Sequence, residues 1–505
     1  MKNFLISALL IMALFRPQDL HGQNALLNES STRFLFKDAD RSINVPLSIS
    51  GSTLPEVLDH VFDSLTSQST IKGMSAAMLL PDGTLWKRAR GLARGLPTQQ
   101  TLTTDHLLGM GSITKSFVAT TLLLMIEDSL LSLDDSIGSY LAPYDHIPGH
   151  VTIRQLLSHR SGINDYLNEN AAMVDAWLTY PDSIWVADTI LHLYVLAPNF
   201  PVGSDWSYSN TNYLLAGRII EEITGHPWYV EVRERILNPY NFSHTFAYPY
   251  ESYGAQPFAH VWIDADGDGL VDDLQGIGFP DVGLFSIAGS AGSLLSTPED
   301  LVQFHRLVYG GYLLQDTTLE EMLTDYIQDG SGFEYGLGTL MYPLGSNLEN
   351  HGHDGSILYY AIASFFPGED LAIAVMQNDN RLEVPGPTDA PFDLNYLFLA
   401  LLDTYLNYSI PSATHDQLLF VENLSVSPNP ADDFTKVEFT LTTNSHVLST
   451  LHRMDGGIVQ SNDFGWLEAG HHTLELGLKD ISQGSYLLSL QDEGQRYYRI
   501  IVVQK

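Results

Sequence analysis

The chain has 505 residues, of which 24 are Lys or Arg and 60 are Asp or Glu, so its formal net charge at pH 7 is −36. Such an acidic chain is poorly suited to bind nucleic acid or an anionic membrane surface. Its length predicts two or three domains, and a hydrophobic content of 44% is ample for a sizeable core. The absence of cysteine excludes disulfides, thiolate metal sites and a cysteine nucleophile.

The N-terminus has the layout of a secretory signal peptide. Lys2 provides a positive start, residues 4–15 are apolar apart from Ser7, and cleavage is expected after Gly22. The apolar run is too short to cross a bilayer, which takes about 20 residues, and no other stretch of the sequence is long and apolar enough. The sequence therefore predicts a signal peptide over residues 1–22, export through the periplasm, and a polar leader over residues 23–53.

Residues 54–408 have the pattern of an α+β domain with an antiparallel sheet. Apolar residues at helical spacing predict a helix over 54–65. Two strands then flank the turn Pro81-Asp82-Gly83, in which proline presets one dihedral angle and glycine accepts a positive one. The other expected elements are a buried helix from about 112 to 131, a helical block over 165–236, a helix over 300–308, strands over 335–342, 357–366 and 371–377, and a helix over 395–406.

A serine and a lysine stand three residues apart at the start of the buried helix, as Ser112 and Lys115. At this spacing both side chains lie on one face of a helix, with the serine at its positive end. A buried lysine has a lowered pKa and can then take the proton of the serine. The alternative is that Ser112 only caps the helix. The same spacing recurs at Ser69 and Lys72, but no buried helix follows, and we interpret that copy as surface.

Two later stretches complete a set of three motifs. After Ser112-Ile113-Thr114-Lys115 come Tyr208-Ser209-Asn210 and then His353-Asp354-Gly355. In this order the motifs resemble those of the penicillin-recognising serine hydrolases, which include class C β-lactamases, D-alanyl-D-alanine carboxypeptidases and related esterases. The accessory stretches 152–162, 290–301 and 335–338 are also similar to that family. The resemblance covers residues 50–405 and implies a β-lactamase/transpeptidase-like domain, whose antiparallel sheet is flanked by helices and accompanied by a helical block.

The resemblance also implies the catalytic roles. Ser112 would be the acylated nucleophile, and Lys115 would accept its proton. Tyr208 would match the tyrosine that acts as general base or relays the proton to the leaving group. This set moves a proton and forms an acyl-enzyme without any cofactor.

A second group of residues would bind the substrate, again by resemblance. Asn210 would hydrogen-bond the substrate amide and orient the lysine. His353, Asp354 and Gly355 would match the third motif, on the strand that edges the cleft. Backbone N–H groups of the nucleophile and of Ser356 would form the oxyanion hole for the tetrahedral intermediate.

The residue pattern of the sequence changes after residue 408, from mixed helices and strands to short strands alone. Residues 409–420 are predicted to be a linker, and residues 421–505 a small all-β sandwich of short alternating strands separated by turn signals. The stretches 426–431, 455–457 and 484–486 and the terminal Lys505 resemble the C-terminal sorting domain of the type IX secretion route of Bacteroidetes-like bacteria. This implies the secretion machinery as a partner and a secreted or cell-surface location. The alternative is an ordinary carbohydrate- or protein-binding sandwich.

Residues 264–273 carry a pattern that is typical of a calcium loop. Acids at positions 1, 3, 5 and 9 supply several oxygens on a tight turn, as a hard cation requires. Position 12 is Gln275 rather than a bidentate glutamate, so the loop departs from a standard EF-hand, and the alternative is an acidic hairpin tip. The predicted structural calcium ligands are Asp264, Asp266, Asp268 and Asp272.

These observations predict an exported serine hydrolase that forms an acyl-enzyme on Ser112 with small-molecule or peptide substrates. The alternatives are a catalytically silent surface binding protein that keeps the fold, and a true β-lactamase. β-Lactamases of the superfamily usually carry lysine at the start of the third motif, where this chain has His353 followed by Asp354. Because histidine is largely neutral at pH 7, we expect esters or amides resembling D-amino acid peptides to fit better than anionic β-lactams.

Overall fold

A computed structural model describes residues 53–67, 69–95, 97–264, 270–324, 327–328, 334–341, 344, 348–381, 384–385, 391–408, 421–427, 431–453, 458–482, 484–491 and 496–503. The predicted signal peptide, leader and linker therefore lie outside the described residues, apart from residue 53. The described chain divides into two compact units, one of residues 71–341 and 350–381 and one of the remaining residues. Within these ranges, no helix combines the length and the apolar character needed to cross a membrane.

The helices and strands of the described residues have the following bounds. The α-helices are α1 (Leu54–Ser67), α2 (Thr114–Glu127), α3 (Ile153–Leu157), α4 (Ala171–Thr179), α5 (Ala187–Leu193), α6 (Asn210–Thr224), α7 (Trp228–Val232), α8 (Val282–Ala288), α9 (Pro298–Tyr309), α10 (Asp316–Thr324) and α11 (Leu394–Asn407). The strands of the first unit are β1 (Gly73–Leu79), β2 (Leu85–Arg94), β3 (Gln100–Thr101), β4 (Leu108–Gly109), β5 (Phe246–Ala247), β6 (Trp262–Ile263), β7 (Asp272–Asp273), β8 (Leu294–Ser296), β9 (Ile327–Gln328), β10 (Glu334–Tyr335), β11 (Leu340–Met341), β12 (His351–Ile357), β13 (Tyr359–Phe366) and β14 (Leu371–Gln377). Those of the second unit are β15 (Val384–Pro385), β16 (Pro391–Phe392), β17 (Val421–Ser427), β18 (Phe434–Leu441), β19 (Ser445–Arg453), β20 (Ile458–Leu467), β21 (Gly470–Gly477), β22 (Gly484–Gln491) and β23 (Arg496–Val503).

The first unit is built on an antiparallel sheet in the order β3-β2-β1-β14-β13-β12-β11-β10-β9. The predicted hairpin is confirmed, since β1 and β2 pair antiparallel with Leu79 opposite Leu85. Gly83 in the connecting turn has a φ of 84°, the left-handed conformation that its glycine was expected to supply. Strand β12, which carries the third motif, therefore lies inside the sheet, between β13 and β11.

Helix α2 is the buried helix that the apolar run predicts. Its side chains from Thr114 to Leu123 are all buried, as expected for a helix that is apolar nearly all round. Phe117 stacks on Phe304 of α9, with ring centroids 3.5 Å apart. A helix held on all sides in this way gives a rigid base for the residues at its N-terminus.

The apolar pattern predicts strands over 335–342 and 357–366 and none over the third motif, whereas the resemblance implies a strand there; the structure places the motif within β12. Its residues pair with β13 along their whole length, with His353 opposite Ala363 and Gly355 opposite Ala361. Two glycines and two histidines in seven residues obscure the alternation that identifies a strand. The strand is nevertheless buried, because it lies in the middle of the sheet.

The second unit contains the predicted all-β sandwich. Its two sheets have the orders β17-β18-β21 and β20-β19-β22-β23. Their inward side chains form one apolar core, to which Phe439 and Leu441 contribute from the first sheet and Leu451 and Leu488 from the second. Helices α1 and α11 also belong to this unit and pack against each other.

Candidate active site

Ser112 lies in a single turn of 3₁₀-helix, Gly111–Ile113, that leads directly into α2. The N-cap positions of the turn and of the helix are Met110 and Ile113, so Ser112 is not the capping residue. Lys115, on the first turn of α2, donates from Nζ to Ser112 Oγ over 2.9 Å. The predicted alignment of the two side chains on one face is therefore confirmed.

The amine of Lys115 is enclosed by acceptors and aromatic rings. Besides Ser112 it donates to Asn210 Oδ1 over 2.8 Å and to the Ala291 carbonyl over 2.7 Å. The Tyr208 ring centroid lies 4.9 Å from Nζ. Complete burial lowers the pKa of Lys115 to about 7, although nearby carboxylates act in the opposite direction. Near neutral pH a substantial fraction of this amine is therefore uncharged.

Tyr208 reaches the same point from the loop that precedes α6. A hydrogen bond joins its side chain to that of Ser112 and acts to lower its pKa. Burial has the larger effect, so the pKa of Tyr208 stays well above its usual value and the phenol keeps its proton at neutral pH. Ser112 thus has two neighbours that can exchange a proton with it.

Asn210 is the first residue of α6, and its amide is held from both ends. Its Oδ1 accepts from Lys115, and its Nδ2 donates to Asp165 Oδ2 over 2.9 Å. Asp165 is a buried residue that the motif analysis missed. It lies three residues after the accessory stretch 152–162, and only its proximity to that stretch could have drawn attention to it.

His159 is a second residue that the analysis of the sequence did not single out. It adopts a φ of 58°, and its ring centroid lies 4.3 Å from that of Tyr208 and 4.7 Å from that of Tyr335. The Ser209 N–H donates to His159 Nδ1 over 3.1 Å, which ties the ring to the second motif. Burial, followed by the charge of Lys115, lowers the pKa of His159 well below its usual value. The ring is therefore a neutral packing partner for Tyr208.

The histidine of the third motif is buried and uncharged. His353 Nδ1 pairs with the backbone carbonyl of Asp354, so Nε2 accepts from the Tyr335 hydroxyl, over 3.1 Å. Burial and the neighbouring charge of Lys115 lower the pKa of His353 to about 3. At neutral pH this position therefore contributes no positive charge to the site.

Two glycines let the third motif approach the nucleophile closely. A Cβ on Gly355 would lie 2.0 Å from the Met110 carbonyl oxygen and 2.7 Å from the Ser112 nitrogen. Gly111 has a φ of 52°, and a Cβ there would lie 2.6 Å from the Ser356 nitrogen. The turn at Gly111 and the segment Gly355-Ser356 of β12 therefore approach each other so closely that neither glycine has room for a side chain.

The predicted calcium loop is described only at its two ends. Asp264 follows β6, and Asp272 in β7 pairs with Ile263, whereas Asp266 and Asp268 lie outside the described residues. Among the residues that are described, no group of three or more potential ligand side chains is arranged for a metal ion. The calcium site stays a prediction.

If calcium binds this loop, a chelator should lower the melting temperature of the whole protein, because a ligand of the folded state stabilises it by mass action. Asp266→Ala should remove the sensitivity to the chelator, whereas Asp205→Ala, an exposed acid on another loop, should keep it. Differential scanning calorimetry with and without EDTA measures both effects. Identical wild-type melting curves in the two conditions would leave only an acidic hairpin.

Comparison with known proteins gives two family matches. Residues 58–398 match the Beta-lactamase family, and residues 425–504 match the secretion system C-terminal sorting domain. The second match confirms the predicted type IX sorting domain and indicates delivery to the cell surface or beyond it.

Individual relatives include amide- and ester-cleaving enzymes. Penicillin-binding protein 4 of Amycolatopsis lactamdurans is 25% identical over 63% of this chain and 83% of its own length. Esterase EstB of Burkholderia gladioli is 31% identical over 38% of this chain, which spans about half (51%) of that relative. The crystal structure of D-amino acid amidase from Ochrobactrum anthropi SV3 has a TM-score of 0.59 and 27% identity, over 70% of this chain and 99% of the other. Because the family match spans most of the chain, the protein belongs to the Beta-lactamase family of serine hydrolases.

Proposed function

We propose that the protein is an exported hydrolase that forms an acyl-enzyme on Ser112 with esters and with amides of the D-amino acid type. The observation that carries the proposal is the set of partners around Lys115 Nζ. A neutral amine has two hydrogens and one lone pair. Asn210 Oδ1 and the Ala291 carbonyl accept the two hydrogens, so the lone pair is left to face Ser112 Oγ.

Acylation follows from this arrangement. The amine takes the Ser112 proton while Oγ attacks the substrate carbonyl carbon, and the carbonyl oxygen becomes an oxyanion. The N–H groups of Ser112 and Ser356 stabilise this charge. Tyr208, as a neutral phenol, donates its proton to the leaving amine or alcohol and regains one from Lys115. In the second half of the reaction, a water molecule takes the place that the leaving group has vacated. It attacks the acyl carbon, and the ester bond to Ser112 Oγ breaks.

The substrate class is inferred from the third motif. A fixed cation there would pair with a substrate carboxylate, but His353 is neutral and its Nε2 is engaged by Tyr335. The strongly acidic chain adds no compensating attraction for anions. Substrates that lack a carboxylate at this point should therefore be preferred, which favours the ester and D-amino acid amide classes over β-lactams. Relatives described as an esterase and a D-amino acid amidase support this choice.

The proposal is tested by comparing kcat/KM for four substrates. These are a short p-nitrophenyl ester, nitrocefin, a D-alanyl-D-alanine peptide with a free carboxylate, and the same peptide with a C-terminal amide. We expect the ester to be hydrolysed readily and nitrocefin weakly or not at all. The amidated peptide should exceed its free-acid counterpart in kcat/KM by about tenfold or more. The reason is that the free carboxylate finds no charged hydrogen-bond partner in the third motif, and such a bond contributes about 1.5–3 kcal/mol.

The outcomes separate the alternatives. Nitrocefin as the best substrate would indicate a true β-lactamase and overturn the argument from His353. Hydrolysis of none of the four, together with no covalent labelling of Ser112 by a fluorophosphonate, would indicate a silent binding protein. Equal rates for the two peptides would show that the charge of the third motif does not select substrates.

A further inference from the structure

Asp165 is a buried acid whose carboxylate is fully engaged. It lies in the segment between α3 and α4 and is 1% exposed. Its Oδ1 accepts from the backbone N–H groups of Leu167 over 2.9 Å and Asn168 over 3.3 Å. Its Oδ2 accepts from Asn168 Nδ2 over 2.8 Å and from Asn210 Nδ2 over 2.9 Å. Four donors hold this carboxylate in one position and offset part of the cost of burying it, although burial still raises the pKa of Asp165 above its usual value.

The carboxylate decides which way the Asn210 amide points. An ionised carboxylate only accepts hydrogen bonds, so it takes the NH₂ end of the amide. The oxygen end is then left for Lys115 Nζ, which lies 2.8 Å away. In the reversed orientation, an NH₂ group would face the hydrogens of the lysine and the amide oxygen would face the carboxylate. Both contacts would be repulsive, and the lysine would lose one of its three partners.

We propose that Asp165 is a positioning residue of the hydrolase, whose carboxylate fixes the Asn210 amide so that the lone pair of Lys115 is aimed at Ser112. The inference rests on the proposed function, in which Lys115 is the base. Asp165 lies outside the three motifs and does not contact Ser112. Asp165 acts through Asn210 by geometry and on Lys115 by its charge.

The charge of Asp165 has its own signature. Its carboxylate raises the pKa of Lys115, against the larger lowering by burial. Because the uncharged amine is the active form, kcat/KM should rise with pH through about 7 in the wild type. Removing the charge of Asp165 lowers the lysine pKa, so the acid limb should move to lower pH. The titratable groups that face Lys115 are Asp165, Asp354, His159, His353, Tyr208 and Tyr213.

The first test is Asp165→Asn, measured as kcat/KM for a p-nitrophenyl ester between pH 5 and 9. We expect the plateau to fall by about tenfold to a hundredfold, as for a misdirected hydrogen bond to a charged group. The acid limb should also shift to lower pH. Asp300→Asn is the matched control, because Asp300 is also buried, at 3% exposed, and accepts from the His244 N–H and the Thr245 hydroxyl, away from the site. It should lose stability but keep the plateau and the pH profile.

A second test exchanges the two side chains and decides the matter if Asp165→Asn does not fold. Asn210→Asp alone places two carboxylates against each other and should strongly lower kcat/KM. The double variant Asp165→Asn/Asn210→Asp restores one donor facing one acceptor, so it should recover at least about tenfold in kcat/KM over Asn210→Asp. Its acid limb should move to higher pH, because a carboxylate then contacts Lys115 directly.

Three outcomes would overturn the inference. They are an Asp165→Asn variant with an unchanged plateau and pH profile, a plateau loss that the Asp300→Asn control shows equally, and a double variant that is no better than Asn210→Asp. Fluorophosphonate labelling of wild-type Ser112 is measured in parallel. If the wild type is not labelled, the proposed function fails as well; if it is labelled, only the role of Asp165 is rejected.

Discussion

Ser112→Ala should abolish covalent labelling by a fluorophosphonate and lower the hydrolysis of a p-nitrophenyl ester by at least about ten-thousandfold, as removal of a serine nucleophile does elsewhere. The physical reason is that the attacking oxygen is lost, while Lys115 keeps its bonds to Asn210 and to the Ala291 carbonyl. Ser112 caps no helix, so the melting temperature should stay close to that of the wild type. Intact-mass spectrometry and a thermal melt measure the two effects.

The chain offers its own control for this experiment. Ser69 and Lys72 have the same spacing as Ser112 and Lys115, but residues 69–72 form no helix. Lys72 Nζ lies instead over the ring of Trp262, 5.2 Å from its centroid. Ser69→Ala should therefore label and turn over like the wild type. A mass adduct that persists in Ser112→Ala would show that another residue is the nucleophile.

The features that the sequence predicts well are those that depend on neighbours in the chain. Ser112 and Lys115 are brought together by the geometry of one helical turn, which acts whatever the rest of the fold does. The hairpin of β1 and β2 follows from the conformations that Pro81 and Gly83 allow. The burial of α2 follows from the absence of any polar face on that helix.

The contacts that complete the site join segments far apart in the chain. His159 and Asp165 reach the second motif from 50 and 45 residues away. No periodicity marks either of them, and the accessory stretch 152–162, which contains His159 and ends just before Asp165, assigns neither a role. The uncharged state of His353 likewise results from its burial, and its Nε2 is engaged by Tyr335. The reference pKa of histidine, which is all that the sequence provides, takes neither of these into account. The pattern of strand β12 was hidden for a related reason. Gly355 allows close contact with the nucleophile turn and Gly352 allows close contact with β13, and both glycines interrupt the alternation by which a strand is recognised.

Because of the close contact between Gly355 and the nucleophile turn, we expect that adding one methyl group at Gly355 lowers turnover by an amount second only to that of Ser112→Ala. In Gly355→Ala the Cβ would lie within 2.0 Å of the Met110 carbonyl oxygen and 2.7 Å of the Ser112 nitrogen, both of them backbone atoms. Strand β12 and the turn at Gly111 must then move apart, so the N–H groups of Ser112 and Ser356 can no longer both donate to one oxyanion. Loss of one oxyanion donor lowers kcat by about a hundredfold to a thousandfold, and we expect a reduction of at least that size.

The matched control is Gly368→Ala, in the turn between β13 and β14, where an added Cβ would meet nothing within 4 Å. Both variants are compared for kcat with a p-nitrophenyl ester, for fluorophosphonate labelling rate and for melting temperature. Gly368→Ala should match the wild type in all three. Gly355→Ala should lose turnover and labelling together. In both reactions Ser112 Oγ attacks an electrophilic centre, and the same two N–H groups stabilise the negative charge that develops on its oxygen. If Gly355→Ala kept kcat within about twofold while it remained folded, the backbone of β12 would not form the oxyanion hole, and the donors would have to be sought elsewhere around Ser112.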